Sequence, residues 1–354
     1  MRPRLKPALR RVERDARTLQ FGVHPSRSIV LTDLEPAVRR LVESLDGTRT
    51  LEQAVAASGL GAEAAHEVIA LLVRHGLVED ASAPPGELAA LSREERERLR
   101  PELDRLSLAT PDGGLAALRR RRSAHIRVYG AGRVGARIVS LLAASGVGHL
   151  CVVDPGTARL RDVAPGGLSA AEVGASREEG AVAIARRLAP GVNAWPGRTA
   201  SRPADGARRP DLAILAPVEP LDALLAHELR AAGVPHLLVA AAEGWGSVGP
   251  LVLAGSTPCL RCLDLFRRDR DPAWPSVQAR LGGFPAGEIA CDAALSALVA
   301  AQAVGQALAW LEGAAVSNGT LEITPDWRWD RRSCRPHPLC DCGRNHRPSL
   351  TMVA

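Results

Sequence analysis

Blocks of apolar residues in the middle of the chain predict a strand, a helix and a second strand in close succession. Ile126 to Tyr129 is a short apolar run of the kind found in a buried strand. The next segment carries apolar side chains at helical spacing on one face, namely Val134, Ile138, Leu141 and Leu142. Gly146 ends this helix, and Leu150 to Val153 forms the second apolar run. The pattern therefore predicts a β–α–β unit.

The turn between the first strand and the helix carries three glycines, Gly130, Gly132 and Gly135. The first permits a tight turn, the second lets a phosphate approach the backbone, and the third lets helix and strand pack closely. The helix N-terminus would then face an anion, and Asp154, at the end of the second strand, could bind ribose hydroxyls. This arrangement predicts a Rossmann-like nucleotide fold of the α/β class. The alternative is a β–α–β unit that serves packing alone.

The residues of the helix and second strand narrow the prediction further. Residues 141–154 read Leu-Leu-Ala-Ala-Ser-Gly-Val-Gly-His-Leu-Cys-Val-Val-Asp. This resembles the ThiF/MoeB family, the bacterial relatives of ubiquitin-activating enzymes. The resemblance extends over residues 123–342. It implies a ThiF-like domain with a mainly parallel sheet at residues 123–330, and it makes ATP a possible cofactor.

Charged residues that this family uses around ATP are mostly missing at the matching positions. Asp162 stands where the family has an asparagine, and Pro165 where it has an arginine. Arg177 takes the position of the family's lysine, which keeps the charge but changes its reach. Val218, beside Glu219, stands where the family has an aspartate that binds magnesium. Because phosphoryl chemistry depends on positioned charge and metal, the resemblance implies the fold more strongly than the activity. The nucleotide-binding residues it implies are Gly130, Gly132, Gly135, Asp154 and Arg177.

Residues 1–82 have the pattern of a separate small domain. Its expected elements are strands at Thr18–Phe21 and Ser28–Leu31, helices from Glu35, from Leu51 and over Ala62–His75, and a short strand at Leu77–Val78. Thr32 or Asp33 is expected to cap the first helix and Thr50 the second. Two hairpin strands, three helices and a final strand predict a winged-helix domain.

The third helix of this domain argues against DNA binding. It carries Glu63 and Glu67 and only one permanent cation, Arg74. A recognition helix needs arginine or lysine for phosphates and bases. A DNA-binding domain therefore stays the least favoured alternative, behind a purely structural appendage.

Three short motifs in this domain, Leu19–Gly22, Leu45–Thr48 and His75–Val78, resemble the PqqD-like precursor-peptide recognition element of ribosomal peptide pathways. In that family a leader peptide adds as a strand to the hairpin and packs on the third helix. The resemblance implies a peptide-binding surface at Ile29, Val30, Leu31, Val68 and Leu72. Val68 and Leu72 can equally be core residues.

Residues 83–122 are predicted to connect the two domains. Pro84-Pro85-Gly86 breaks the chain, and Ser92–Leu103 is a charged helical pattern. Residues 111–114 read as a turn, and no internal repeat is evident.

Two close pairs of cysteines, far apart in the chain, suggest a metal site. Cys259 and Cys262 form a CxxC motif, and Cys340 and Cys342 form a CxC motif. Such pairs suit tetrahedral zinc because each supplies two thiolates from one turn. ThiF relatives often use this arrangement, with CxxC as the second pair. A structural zinc would pin the tail, residues 331–354, to the Rossmann core. Three further side chains could replace one ligand, namely Cys334, His337 and His346, and the alternative to zinc is free thiols or a redox pair.

The remaining cysteines bear on compartment and chemistry. Seven cysteines in a chain without an apparent export signal favour metal binding and free thiols, and hence a cytoplasmic location. Cys151 lies inside an apolar strand and is expected to be core. Cys291, before Asp292 at a helix start, is a minor candidate for a transfer thiol with a lowered pKa.

Net charge and hydropathy argue against two other classes of function. The net charge of +6 comes partly from runs such as Arg119–Arg122, which suit a solvated surface; nothing else supports nucleic-acid binding. Ala293–Leu311 is uncharged and long, but its glutamines and many alanines make it a poor membrane span. A buried helix or a homodimer interface fits this segment better.

Together these patterns predict a leader-peptide-binding scaffold. The combination resembles the ThiF-like partner proteins of azoline-forming cyclodehydratases, in which a separate YcaO protein uses ATP. The implied role is to hold the leader of a precursor peptide and to present it to that enzyme. One alternative is an active adenylyltransferase of a peptide or protein C-terminus, and a third is a nucleotide-sensing DNA-binding regulator.

Overall fold

The structure is a computed structural model, and it describes residues 1–82, 91–197, 208–217, 221–280, 290–314 and 319–342. The chain divides into two units, Met1–Arg120 and Arg121–Ala354. The first unit therefore contains the predicted small domain together with the helices of the predicted connector.

The first unit is built from short elements. Its strands are β1 (Pro3–Leu5), β2 (Arg11–Asp15), β3 (Thr18–Phe21), β4 (Ile29–Leu31) and β5 (Val78–Asp80). Its helices are α1 (Pro36–Ser44), α2 (Leu51–Ser58), α3 (Ala62–Arg74), α4 (Arg93–Arg98), α5 (Arg100–Ser107) and α6 (Leu115–Ser123), the last of which runs across the boundary between the units. The apolar faces of α1, α2 and α3 share one core with the hairpin, while α5 and α6 contribute to a second, smaller cluster.

The predicted hairpin is confirmed. Strands β2, β3 and β4 form an antiparallel sheet in that order, with Leu19 opposite Leu31 and Phe21 opposite Ile29. Leu19 and Phe21 point into the core and are almost fully buried. Among the described strands, β4 pairs only with β3, so its outer backbone edge has no strand beside it.

The caps of the first two helices show one correct and one wrong prediction. Thr50 caps α2 as expected, and its side chain and that of Gln53 each accept the other's backbone N–H. Helix α1 instead begins after Glu35, without a side-chain cap. Pro36 supplies the helical φ at its first position, and Asp33 adopts a left-handed φ of 55° that removes it from the cap position.

The second unit is an α/β domain. Its strands are β6 (His125–Tyr129), β7 (His149–Val153), β8 (Asn193–Pro196), β9 (Leu212–Leu215), β10 (His236–Ala242), β11 (Trp245–Val252), β12 (Gly319–Ile323) and β13 (Trp329–Ser333). Its helices after α6 are α7 (Gly135–Ala144), α8 (Arg177–Leu188), α9 (Ala223–Ala231), α10 (Leu260–Arg270), α11 (Trp274–Arg280) and α12 (Ala293–Leu311).

One eight-stranded sheet, in the order β13-β12-β11-β10-β9-β6-β7-β8, runs through this unit. The five strands from β10 to β8 are parallel, whereas β11, β12 and β13 extend the sheet antiparallel. The α/β class predicted from the glycine turn and the mainly parallel sheet that the ThiF resemblance implies are therefore confirmed.

Helices cover both faces of the parallel strands. Leu212 and Ile214 of β9 share a core with α7, α8 and α12, whereas Ala213 and Leu215 pack with Leu229 of α9. This alternation is the two-residue period of a strand whose faces are both buried. Helix α12 is the one described helix long and apolar enough to cross a membrane, yet seven of its residues belong to this core.

His125, at the start of β6, carries a buried imidazole. Its side chain is fully buried, and its ring lies 5.1 Å from that of Trp195. Burial, together with the charge of Arg127, lowers the pKa of His125 to about 4. The folded state therefore holds this histidine neutral.

This neutral histidine should make the fold sensitive to mild acid. The unfolded chain takes up the proton near pH 6.5 and the folded chain only near pH 4, so stability falls as pH drops through this window. We expect His125 to account for a loss of about 2 kcal/mol between about pH 7 and pH 5. His125→Phe, which keeps a ring beside Trp195, should remove that part of the pH dependence in urea unfolding. An equal loss in the variant and the wild type would contradict the assignment.

Candidate functional site

The glycine turn after β6 brings backbone against backbone. Gly130 has a φ of 96°, and a Cβ atom there would lie 2.0 Å from the carbonyl oxygen of Ala216. A Cβ atom on Gly135 would lie 1.9 Å from the carbonyl oxygen of Gly130. No side chain fits at either position. These two glycines therefore allow α7 to begin directly against the ends of β6 and β9.

A cavity of about 220 Å³ opens beside this turn, at the N-terminus of α7. It is lined by Gly132, Arg133, Val134, Gly135, Arg161, Asp162, Ala216, Pro217, Val239, Ala240, Ala241 and Cys291. The cavity lies at the carboxyl ends of β9 and β10, where open parallel sheets bind ligands. Helix N-terminal N–H groups and two arginines make it suitable for an anionic group such as a phosphate.

Asp154, at the end of β7, holds the glycine turn in place. It is 5% exposed, its Oδ2 accepts the N–H of Ala131 at 2.7 Å, and its Oδ1 accepts the N–H of Gly156 at 2.7 Å. A carboxylate offers about four lone-pair sites, and Arg177 Nη1 approaches Oδ2 as well, at 3.4 Å. These three contacts use about three of the four lone-pair sites. Asp154 itself is not among the residues that line the cavity.

Arg177, the first residue of α8, is a buried counter-ion. Its guanidinium lies 3.4 Å from Asp154 Oδ2 and 3.4 Å from Asp162 Oδ2, and its Nε donates to the carbonyl of Thr157 at 3.2 Å. Its side chain is 10% exposed. In this conformation Arg177 neutralises two carboxylates and does not line the cavity that was expected to receive phosphates.

Two arginines that the sequence analysis did not single out, Arg133 and Arg161, line the cavity, and a third, Arg137, lies near Cys291 at its edge. Arg133, inside the glycine turn, donates to the carbonyl of Arg161 at 2.7 Å and lines the cavity. Arg137, on the buried face of α7, donates to the carbonyls of Pro165 at 2.6 Å and Ala293 at 2.7 Å. The signal that could have found Arg133 is its place between the second and third glycines. Val218 and Glu219 lie outside the described residues.

Four cysteines come together at the base of α10. The sulfurs of Cys259, Cys262, Cys340 and Cys342 lie within 4.8 Å of one another, and all four residues are buried. The Sγ–Sγ distances are 3.9 Å for Cys259 and Cys262, 3.6 Å for Cys259 and Cys340, and 3.3 Å for Cys262 and Cys342. A sulfur tetrahedron about 2.3 Å from a zinc ion has edges of about 3.8 Å. The cluster therefore has the size that a metal ion requires.

Burial makes two of the four thiols reluctant to ionise by themselves. It raises the pKa of Cys259 far above its ordinary value and raises the pKa of Cys262 to about 11. The pKa of Cys342 is lowered instead, because hydrogen bonds from neighbouring groups outweigh its burial. Metal binding would therefore displace protons from the cluster and would strengthen as pH rises.

Two of the alternative ligands lie outside the cluster. His337 uses both ring nitrogens elsewhere, because Nε2 lies 2.8 Å from Asp269 Oδ2 and Nδ1 accepts the N–H of Leu339 at 3.1 Å. Cys334 has its sulfur 3.8 Å from Thr320 Oγ1. Of the described candidates, the geometry selects the four cysteines that the spacing favoured; His346 lies outside the described residues.

The predicted peptide surface is partly exposed and partly core. Val30 is 36% exposed on the outer edge of the hairpin, and its neighbours Ile29 and Leu31 are half-buried against the core. Val68 is half-buried on α3, but Leu72 is 1% exposed. Leu72 is thus a core residue and offers no surface to a peptide in this conformation; the exposed apolar residues beside it are Leu71 and Val73.

The two remaining cysteines behave differently from each other. Cys151 is fully buried in β7, as expected for a core residue. Cys291 lines the cavity at the N-terminus of α7, but burial raises the pKa of its thiol. The lowered pKa considered for a transfer thiol is therefore wrong: burial outweighs the nearby positive charges of Arg133 and Arg137.

Comparison with known proteins agrees with this architecture. The sequence profile of the ThiF family matches residues 105–343. None of the curated proteins matches the chain.

Solved structures resemble the fold along nearly its whole length. E. coli MccB in complex with MccA superposes with a TM-score of 0.73 at 14% identity, covering 98% of this chain and 100% of that one. E. coli MccB with ATP gives 0.70 at 13% identity, covering 97% and 100%. PaaA gives 0.68 at 18% identity, covering 93% and 99%. At these identities the likeness establishes the fold.

Removing Arg177 should destabilise the second unit. Arg177→Ala would leave Asp154 and Asp162 buried without their counter-ion, at a cost of about 3 kcal/mol. Arg187 of the same helix is the matched control: its side chain is 63% exposed in an ion pair with Glu172, so Arg187→Ala should cost less than about 1 kcal/mol. Urea unfolding of both variants measures the difference. Equal, small losses would show that Arg177 is not a structural counter-ion.

Proposed function

This chain belongs to the ThiF family, and we propose that it binds the leader of a ribosomally made precursor peptide and presents it to a separate modifying enzyme. The expected partner is a cyclodehydratase of the YcaO type. In this proposal, residues 1–82 form a winged-helix recognition domain of the PqqD-like kind, and the second unit acts as a scaffold.

The outer edge of β4, beside which none of the described strands lies, carries the proposal. A backbone edge without a neighbouring strand can accept an extended peptide by main-chain hydrogen bonds, and side-chain pockets then supply specificity. Apolar packing holds this edge strand in place: Ile29 and Leu31 pack against the core, while the side chain of Val30 faces solvent. The acidic residues Glu63 and Glu67 on α3 disfavour DNA in the same region.

A related fold that binds a peptide supports the proposal. The E. coli MccB structures include complexes with MccA, and their similarity extends over 98% of the present chain. From this likeness we infer that the present chain also binds a peptide. That the peptide is a leader, and that the partner enzyme is of the YcaO type, follows from the sequence resemblance.

A second candidate function is adenylation of a peptide or protein C-terminus. The observation that favours it is the intact glycine turn with a cavity suited to an anion beside Arg133 and Arg161. Two features weigh against it. Arg177 is engaged by Asp154 and Asp162, and Pro165 stands where the family carries an arginine.

We further propose that zinc occupies the four-cysteine cluster and that α12 forms a homodimer interface. The thiolate-only donor set at tetrahedral size favours zinc over the harder cations calcium and magnesium. Helix α12 leaves Ala297, Ala301 and Gly305 exposed on one side, which suits close approach of a second copy. The free cysteines fit a reducing, cytoplasmic setting.

Leader binding should depend on the β4 edge. Val30→Pro removes a backbone N–H from this edge and should weaken binding of a leader peptide from the same gene neighbourhood by about tenfold, equivalent to about 1.4 kcal/mol. On the opposite edge of the sheet, the N–H of Gly22 donates to the carbonyl of Arg10, so the N–H of Arg11 faces outward as that of Val30 does. Arg11→Pro is therefore the matched control and should bind as the wild type does. Fluorescence anisotropy measures both, with melting temperatures to confirm folding.

Peptide recognition and DNA recognition make opposite predictions for the same protein. If the protein binds a leader peptide, the NMR signals of the backbone amides at 28–31 should shift when the leader is added. Binding of duplex DNA with a steep salt dependence, in the absence of leader binding, would replace peptide recognition by DNA recognition.

ATP–pyrophosphate exchange should be weak or absent. Without the family's arginine at Pro165, and with Arg177 engaged by two carboxylates, the transition-state charge lacks its usual partners. Exchange is measured with radiolabelled pyrophosphate and candidate peptides. Robust magnesium-dependent exchange that Asp154→Asn and Asp162→Asn both abolish would favour the adenylyltransferase instead.

Purified protein should contain one zinc ion per chain. Cys340→Ser should lose it, whereas Cys334→Ser should retain it, because the sulfur of Cys334 lies outside the cluster. Acidification should also release the ion, since the thiols must be deprotonated to bind it. Elemental analysis decides: no zinc in the wild type, or equal contents in the two variants, would overturn the assignment.

A further inference from the structure

A basic groove lies between α10 and the outer strands of the sheet. The cavity measures about 450 Å³, and its helix wall is the stripe Leu263, Phe266, Arg267 and Arg270. These positions follow the spacing of one helix face. Arg332 of β13 and Arg335 close the opposite side, and we name the cavity between these walls the arginine groove.

The arginine groove holds more positive than negative charge. Its lining contains Arg267, Arg270, Arg332 and Arg335 but a single carboxylate, Glu322, which pairs with Arg332 at 2.7 Å. One of the four arginines is therefore neutralised by a carboxylate of the groove, and the other three have no carboxylate partner among the lining residues. Because like charges repel, their convergence is unfavourable until an anion joins them.

Aromatic rings hold two of these arginines in position. The guanidinium of Arg335 lies 5.1 Å from the centre of the Phe266 ring, and that of Arg267 lies 5.0 Å from the centre of the Trp274 ring. Such contacts order the flexible side chain while leaving its N–H groups able to donate. The entropy lost on binding a carboxylate is correspondingly smaller.

The groove borders an open edge of the sheet. All five residues of β13 are exposed, and among the described strands β13 pairs only with β12. Arg332 lies opposite Thr320, which also lines the groove, so this face of β13 looks onto the cavity. A strand added about 4.8 Å beyond β13 would present every second side chain to the same face.

We propose that β13 and the arginine groove bind an extended acidic segment of a partner polypeptide by strand addition. Alternate aspartate or glutamate side chains of the segment pair with Arg270 and Arg335, and its backbone pairs with β13. The chain's own residues 343–354 carry Arg344 and Arg347 and no acidic side chain, so they do not complement the groove. An edge of backbone N–H and C=O groups favours a polypeptide over a nucleic acid. This site is separate from leader recognition at β4 and does not rest on it.

Charge reversal in the groove tests the proposal on the full-length protein. The probe is a fluorescein-labelled peptide of alternating threonine and glutamate, and binding is followed by anisotropy. The double variant Arg270→Glu and Arg335→Glu should weaken binding by at least tenfold, and Arg270→Gln with Arg335→Gln should act in the same direction without introducing new negative charge. Arg268→Glu is the matched control, because Arg268 belongs to the same helix but does not line the groove; it should change the Kd by less than twofold.

Three further readouts decide between ligands and folding effects. Hydrogen–deuterium exchange should show new protection at Trp329–Ser333 when the peptide binds, and a threonine–glutamine peptide should bind far more weakly. Unchanged melting temperatures show that the variants fold. Absence of binding in the wild type, equal losses in Arg268→Glu and the double variant, or tighter binding of an oligothymidine than of the acidic peptide would each overturn the proposal.

Discussion

The close approach of backbone segments around the glycine turn is the constraint on which the second unit depends. Carbonyl oxygens lie so close to Gly130 and Gly135 that neither position has room for a Cβ atom. The same holds at Gly148, where a Cβ atom would lie 1.7 Å from the carbonyl oxygen of Arg122. These contacts set the distance between α7 and the parallel strands. The strand ends, the cavity and Asp154 all take their positions from that distance, because Asp154 accepts the N–H of Ala131 within the same turn.

The parts of the fold that could be read from the sequence are those whose pattern is local. The glycine turn, the β4 hairpin and the Thr50 cap each combine a steric or hydrogen-bonding requirement with residues only a few positions apart. The cysteine pairs belong to the same class, because each pair already presents two sulfurs from one turn. Only their meeting across the fold needed the structure.

The parts that the sequence could not reveal depend on long-range contacts. Strand β13 is wholly exposed and highly charged, so no alternation marks it as a strand. Arg177 has a charge that suits phosphate, yet the fold sets it between two carboxylates contributed by other segments. Leu72 has the helical position of a groove residue, but it is buried in the core where α1, α2 and β5 pack against α3. Spacing alone does not distinguish these outcomes.

The four-cysteine cluster also has a consequence for how the chain is made. Its second pair of sulfurs follows the first by about 80 residues, so at a synthesis rate of about 5–20 residues per second the cluster stays incomplete for about 4–16 s. During that interval the parallel strands already exist, whereas α10 lacks the partners that fasten it to the end of the sheet. Strands β12 and β13 follow the first cysteine pair in the chain, so they can join the sheet only late in translation. Until then a nascent chain would expose the half-built cluster to the cell's thiol chemistry.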